Sequence, residues 1–220
     1  LSYAHVTSDR RRPELEPALF PEHAEELIVL SGCSHGPIAQ ALAAGRDAEA
    51  RALAKRYVEW FGEGNFYLEL QQNLVHGDTR RIRRLAALGR ELSIPLVATN
   101  NVHYHLRGRH RLQDCLVAIR QRKTLEGSHA ERRANAEFHL KSPQEMAELF
   151  AELPGALRNT LAIAERCDFD FEFGNYRFPV YPHLDGRTPE DVLRELALEG
   201  LDKRLQLVRG RSPEDEWPAM

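Results

Sequence analysis

Three short apolar runs constrain this chain more than anything else in it, because the segments between them are too long for hairpins and carry helical periodicity. Leu27-Ile28-Val29-Leu30, closed by Ser31-Gly32, has the composition of a buried strand. Asn65 to Gln71 alternates Phe66, Leu68 and Leu70 against Tyr67 and Glu69, a strand period of two. Leu96-Val97-Ala98-Thr99 follows Pro95 as a third. Between the first two, Pro37–Ala44 and Asp47–Phe61 show helical spacing, the latter through Ala50, Leu53, Ala54, Tyr57, Val58 and Phe61, and Gly62 and Gly64 end it. Between the second and third, Asp78 and Thr79 cap a helix to Leu92 whose inner face is Ile82, Leu85, Ala86 and Leu92, with Arg80, Arg81, Arg83 and Arg84 solvated. Strand–helix–strand–helix–strand predicts an α/β fold with parallel strands, and the apolar strands predict a sheet covered on both faces.

Around this centre, residues 1–26 are polar and proline-bearing, with a short helix near Pro17 to Glu26. A helix is expected from Gly108 to Gln121, then an arginine-bearing loop over Lys123 to Asn135 and an extended piece at Phe138-His139-Leu140. Ser142-Pro143-Gln144-Glu145 has the residues of a capping box with proline at the first helical position. A second helix runs from Pro154 to Cys167, and Met146, Leu149, Phe150, Leu157, Leu161 and Ile163 are expected to pack on the preceding sheet. Asp168 to Pro182 is aromatic and extended in pattern, and Thr188-Pro189-Glu190-Asp191 opens a last helix to about Val208.

At 220 residues and 42% hydrophobic content the chain can bury a sizeable core. The net charge of −3 supplies no global attraction to nucleic acid, so any such contact must be local. Three widely spaced cysteines, Cys33, Cys115 and Cys167, fit free thiols in a reducing, cytoplasmic compartment, and no stretch has the roughly 20 apolar residues of a membrane span. Cys115 and Cys167 are expected at core or boundary positions. The chain opens on Leu1 and stops at Met220 after Pro213-Glu214-Asp215-Glu216, and both ends are read as cuts.

In parallel α/β sheets the loops after the strands gather on one edge, where chemistry is placed. The first strand runs into Cys33 and the third into Asn101 and His103, which point to the same side of an extended segment. Thiolate and imidazole suit zinc or a similar divalent ion, while Asn101 is a neutral ligand. The alternative is a small buried cysteine and histidines that close a strand end. A second candidate surface is basic: Arg80, Arg81, Arg83 and Arg84, then Arg107, Arg109, Arg111, Arg120, Arg122, Lys123, Arg132 and Arg133. Such arginines either neutralise phosphates or form an ordinary solvated face.

Several long segments resemble the bacterial C-family DNA polymerases, the DNA polymerase III alpha type: Leu30-Ser31-Gly32-Cys33, Gly64-Asn65-Phe66-Tyr67-Leu68-Glu69-Leu70-Gln71, Pro95 to Tyr104, and Phe138-His139-Leu140-Lys141-Ser142-Pro143, with Asn159-Thr160-Leu161 and Ile163 to Cys167. Asn73 to Asp78 and Arg111 to Arg120 resemble the error-prone branch in particular. The resemblance implies a partial PHP-type β/α barrel over 1–140, a helical linker over 141–167 and the start of the polymerase palm region over 168–220. It implies a DNA-directed DNA polymerase as the parent protein, acting in DNA replication or repair, with DNA and other replication or translesion subunits as partners and no membrane. The polymerase's catalytic residues fall outside this stretch, so the fragment itself is expected to be inactive. By the resemblance, Cys33 and His103 match late metal ligands of the PHP barrel and Asn101 stands where metal-binding members carry aspartate; early ligands would precede Leu1. Zinc or manganese would then belong to the complete PHP domain and bind this fragment weakly or not at all. A PHP-type metal-dependent phosphoesterase or exonuclease and a purely structural scaffold are the competing functions.

Overall fold

The computed structural model of the chain describes residues 2–9, 12–169, 173–174 and 186–209. Three parallel strands form its sheet, in the order β1 (Val29–Leu30), β2 (Phe66–Gln71), β3 (Leu96–Thr99). The register pairs Leu30 with Tyr67 and runs from Leu68 with Leu96 to Gln71 with Thr99. Helices α2 (Pro37–Ala43) and α3 (Asp47–Phe61) connect β1 to β2, and α4 (Asp78–Leu92) connects β2 to β3, so the α/β pattern expected from the apolar runs is present. It is the arrangement of a partial PHP-type barrel: parallel strands with flanking helices.

The core lies on one face of the sheet. Phe66, Leu68 and Leu70 alternate into it and meet Ile38, Leu42, Ala50 and Ala54 from α2 and α3 and Ile82, Leu85 and Leu88 from α4. Helix α4 lies close on β3: a Cβ at Gly89 would stand 2.7 Å from Leu96 Cδ2. The opposite face is less fully covered than expected for a sheet covered on both faces. Tyr67, Glu69 and Gln71 occupy it on β2, and Glu69 and Gln71 are only half-buried.

The remaining helices are α1 (Ser2–Thr7), α5 (His110–Gln121), α6 (Pro143–Leu149), α7 (Pro154–Arg166) and α8 (Pro189–Arg209). The helix expected near Pro17 to Glu26 is instead two single 3₁₀ turns, Pro17–Leu19 and Pro21–His23, since the second proline interrupts the hydrogen-bond ladder. The expected Gly108 start of the next helix resolves into a 3₁₀ turn, Arg107–Arg109, leading into α5. Asp78 does not cap α4 from outside. Gly77, with φ of 92°, precedes the helix, and the Asp78 carboxylate sits inside the first turn.

Helices α6 and α7 belong to the same core. Phe150, Met146, Leu149 and Leu157 pack on it, and Asn159 Nδ2 donates to the Leu96 carbonyl at 2.7 Å. At the far end of α7, Arg166 Nη1 donates to the Gly64 carbonyl at 2.7 Å and its Nη2 to Asn65 Oδ1. Leu161, expected on the sheet, is instead 67% exposed, because it lies on the side of α7 turned away from β3. Cys115 and Cys167 are likewise exposed and not buried. The aromatic stretch Asp168 to Pro182 lies mostly outside the described residues.

The chain divides into two compact units, Leu1–Asp168 and Phe169–Met220. In the second, α8 opens as the sequence predicts: Thr188 Oγ1 accepts from the Asp191 N–H at 3.2 Å.

The capping box of α6 is complete, with Ser142 Oγ accepting from the Glu145 N–H at 3.2 Å and Glu145 Oε2 accepting from the Ser142 N–H at 2.8 Å. Those hydrogen bonds from Ser142, aided by His139, hold the Glu145 carboxyl down at about 2 against an ordinary 4.5. A carboxyl whose folded-state value is depressed stabilises the fold fully above its unfolded value and loses that contribution as pH falls towards the folded one. Glu145→Gln is therefore expected to flatten the acid limb of the stability curve between about pH 4.5 and 2. Urea midpoints across that range check this.

Candidate functional site

Because all three strands are parallel, the residues following them lie on one edge of the sheet. Cys33 follows β1 in a tight turn: Gly32 has φ of 83°, the Gly36 N–H bonds back to the Cys33 carbonyl at 2.9 Å, and a Cβ at Gly36 would meet the Ser31 carbonyl at 2.6 Å. The thiol is free and half-buried. Asn101 and His103 follow β3, both half-buried.

The two groups leave the sheet from its outer strands, with β2 between them. They also leave at different heights, since β1 ends level with Tyr67 and β3 level with Gln71.

The His103 ring has its own partners. Arg133 Nη2 lies 2.6 Å from His103 Nε2, and a guanidinium can only donate, so this nitrogen is the unprotonated acceptor and the proton sits on Nδ1. Phe138 packs edge-on to the imidazole at 5.9 Å, and the Arg133 guanidinium lies over the same Phe138 ring at 5.0 Å. Burial, followed by the Arg133 charge, holds the His103 pKa below its ordinary value. The lone pair a metal would need is thus already engaged by a cation, Asn101 supplies no charge, and no group of three or more His, Cys, Asp or Glu side chains suited to a metal occurs among the described residues. The residues present do not fit a complete divalent-metal site.

A polar relay that the sequence reading missed ties the three strands together near this edge. Glu69 Oε1 accepts from Gln71 Nε2 at 2.8 Å and from Thr99 Oγ1, and Ser31 Oγ accepts from the Glu69 N–H at 2.9 Å. The alternation in Phe66-Tyr67-Leu68-Glu69-Leu70-Gln71 was its only sequence signal. Elsewhere, Lys141 is buried, donates to the Glu137 carbonyl, and has its pKa lowered by burial, while Glu137 also pairs with Arg107 at 3.0 Å. These contacts anchor the loop that carries Arg133.

The basic residues separate into paired and unpaired sets. Arg81 pairs with Asp78 at 2.7 Å and Arg84 with Asp47, so the expectation that both are simply solvated is corrected: their side chains are about one-fifth to one-quarter exposed. Arg132 pairs with Asp114 at 3.3 Å and Lys123 with Glu131. No described helix is long and apolar enough to cross a membrane.

Comparison with known proteins agrees with this architecture. The PHP domain family matches residues 1–73. An error-prone DNA polymerase of Symbiobacterium thermophilum is 38% identical over 203 residues, 92% of this chain and 19% of that protein. The DNA polymerase III subunit alpha of Pseudomonas aeruginosa is 37% identical over 88% of this chain and 16% of its own length, and that of Caulobacter vibrioides 36% over 93% and 18%. The chain thus spans less than a fifth of the curated relatives it matches. With its parallel sheet, its PHP match and identity of this order along nearly its whole length, the chain carries PHP-domain sequence and is homologous to bacterial DNA polymerase III alpha subunits and an error-prone DNA polymerase.

Proposed function

We propose that this chain is a supporting segment of a template-directed DNA polymerase of the error-prone alpha type, acting in the cytoplasm on DNA, and that it performs no nucleotidyl transfer itself. In this reading the PHP barrel continues past its matched residues to about 140, residues 141–167 form a helical linker, and the palm region starts near 168. The observation that carries it is similarity to polymerases over about nine-tenths of the chain. The segments Asn73 to Asp78 and Arg111 to Arg120 favour the error-prone branch. Replication or translesion subunits would be the partners of the whole polymerase.

The competing phosphoesterase reading needs metals held by Cys33, Asn101 and His103. The Arg133–His103 contact favours the scaffold instead. Calorimetry with zinc and manganese is expected to give only weak binding, unchanged by Cys33→Ser, and phosphodiester hydrolysis by the chain is expected at background level. Tight stoichiometric zinc binding lost in Cys33→Ser, with hydrolysis, would establish the phosphoesterase.

A further inference from the structure

We propose that the loop 72–77, which follows β2, and the outer face of α4 bind the phosphate backbone of a DNA strand, beside the residues that follow β1 and β3 on the same edge of the sheet. Only the choice of DNA as the strand rests on the polymerase reading. A concavity of about 760 Å³ lies here, lined by Gln72, Leu74, His76, Thr79, Arg80 and Arg83 among others.

Its charge follows from which arginines are already used. Arg81 is held by Asp78 and the Gln71 carbonyl, and Arg84 by Asp47 and the Leu42 carbonyl. The Arg80 and Arg83 side chains are exposed and enter none of the side-chain ion pairs or hydrogen bonds found among the described residues. Three residues apart on a helix, they share a face. The carboxylate nearest in sequence, Asp78, is 4% exposed and turns both oxygens inward, to the Asn73 and Val75 N–H groups and to Arg81. The surface is therefore locally positive on a chain whose net charge is −3.

The walls are fixed in advance. Asn73 is buried, the Leu74 N–H donates to Gln72 Oε1 at 3.2 Å, and Asn135 Nδ2 donates to the Asn73 carbonyl at 2.8 Å and the Leu74 carbonyl at 3.2 Å. Binding thus orders little beyond the two arginine side chains. Arg83 also borders a neighbouring hollow that contains Glu148 and Glu152, which ends the positive strip on that side. Two free guanidiniums correspond to about two neutralised phosphates, for which log K should fall against log salt with a slope of about −1.4 on a single strand.

The test is fluorescence anisotropy of a labelled single-stranded oligo(dT) with the full chain, titrated from low to moderate salt. The expected slope is about −1.4, halving to about −0.7 in Arg83→Gln. Arg80→Gln combined with Arg83→Gln is expected to weaken low-salt binding about tenfold or more, while Arg158→Gln on α7 leaves it unchanged. Matching melting curves establish that the variants fold. Absence of binding at the lowest salt, or binding that the double variant leaves intact, would overturn the site. Displacement of the oligonucleotide by inorganic phosphate beyond its ionic-strength effect would assign a free-anion pocket and overturn the strand. Failure here leaves the polymerase reading standing, because primer extension by the whole polymerase measures that separately.

Discussion

Phe150→Ala is expected to lower the stability of the sheet-containing unit by about 3–5 kcal/mol, the range for removing a buried phenyl ring. Phe150 is 2% exposed and sits at the end of α6, where it enters the core made by α2, α3, α4 and β2. Its loss leaves a cavity at the junction through which α6 and α7 are joined to the sheet. For a domain of this size the change corresponds to a fall in Tm of roughly 6–20 °C, a large part of a total stability of about 5–15 kcal/mol. Differential scanning calorimetry or urea denaturation reads it. A loss below about 1 kcal/mol would mean that α6 and α7 contribute little to the core.

Asp78→Ala is the second large effect. The carboxylate accepts from the Asn73 N–H at 2.8 Å, the Val75 N–H at 3.2 Å and Arg81 Nη2 at 2.7 Å, and its pair with Arg81 is well shielded, with side chains 6% and 19% exposed. Truncation strands two backbone donors and a largely buried guanidinium, and breaking such a pair from one side costs about 3–5 kcal/mol. Asp78→Asn, which keeps an accepting oxygen, should lose distinctly less. Because the pair is shielded, added salt should change the difference between wild type and variant only slightly. Urea titrations of the three proteins at two salt concentrations measure all of this, and an Asp78→Ala protein as stable as wild type would show that water replaces the carboxylate.

These two residues also mark how far the sequence could be read. The bounds of α3, β3 and the Ser142 capping box follow from period, proline placement and cap chemistry, all local properties, and the structure places them as those properties require. Asp78 looked like a cap because its position before an apolar-periodic run is the same as that of a cap; its bonds to Asn73 and Val75 depend on the path of the preceding loop, which periodicity does not encode. Arg81 and Arg84 looked solvated for the same reason: their acceptors, the Gln71 and Leu42 carbonyls, come from other elements. Leu161 and Cys115 show the converse, apolar side chains at helical spacing on faces that the described unit leaves exposed. At the candidate site, Cys33, Asn101 and His103 were legible as residues following parallel strands. Arg133, which lies 30 residues after His103 and takes its acceptor nitrogen, was not.

Primer extension is the measurement that bears most directly on the proposed function. It should be run on this chain alone, on the full-length polymerase that contains it, and on that polymerase carrying Cys33→Ser with His103→Ala. The chain alone is expected to add no nucleotide, the polymerase to extend the primer, and the double variant to extend it at close to the parental rate, since support of the fold does not require a metal at those side chains. Extension by the isolated chain, or loss of extension in a stably folded double variant, would contradict the supporting role assigned here.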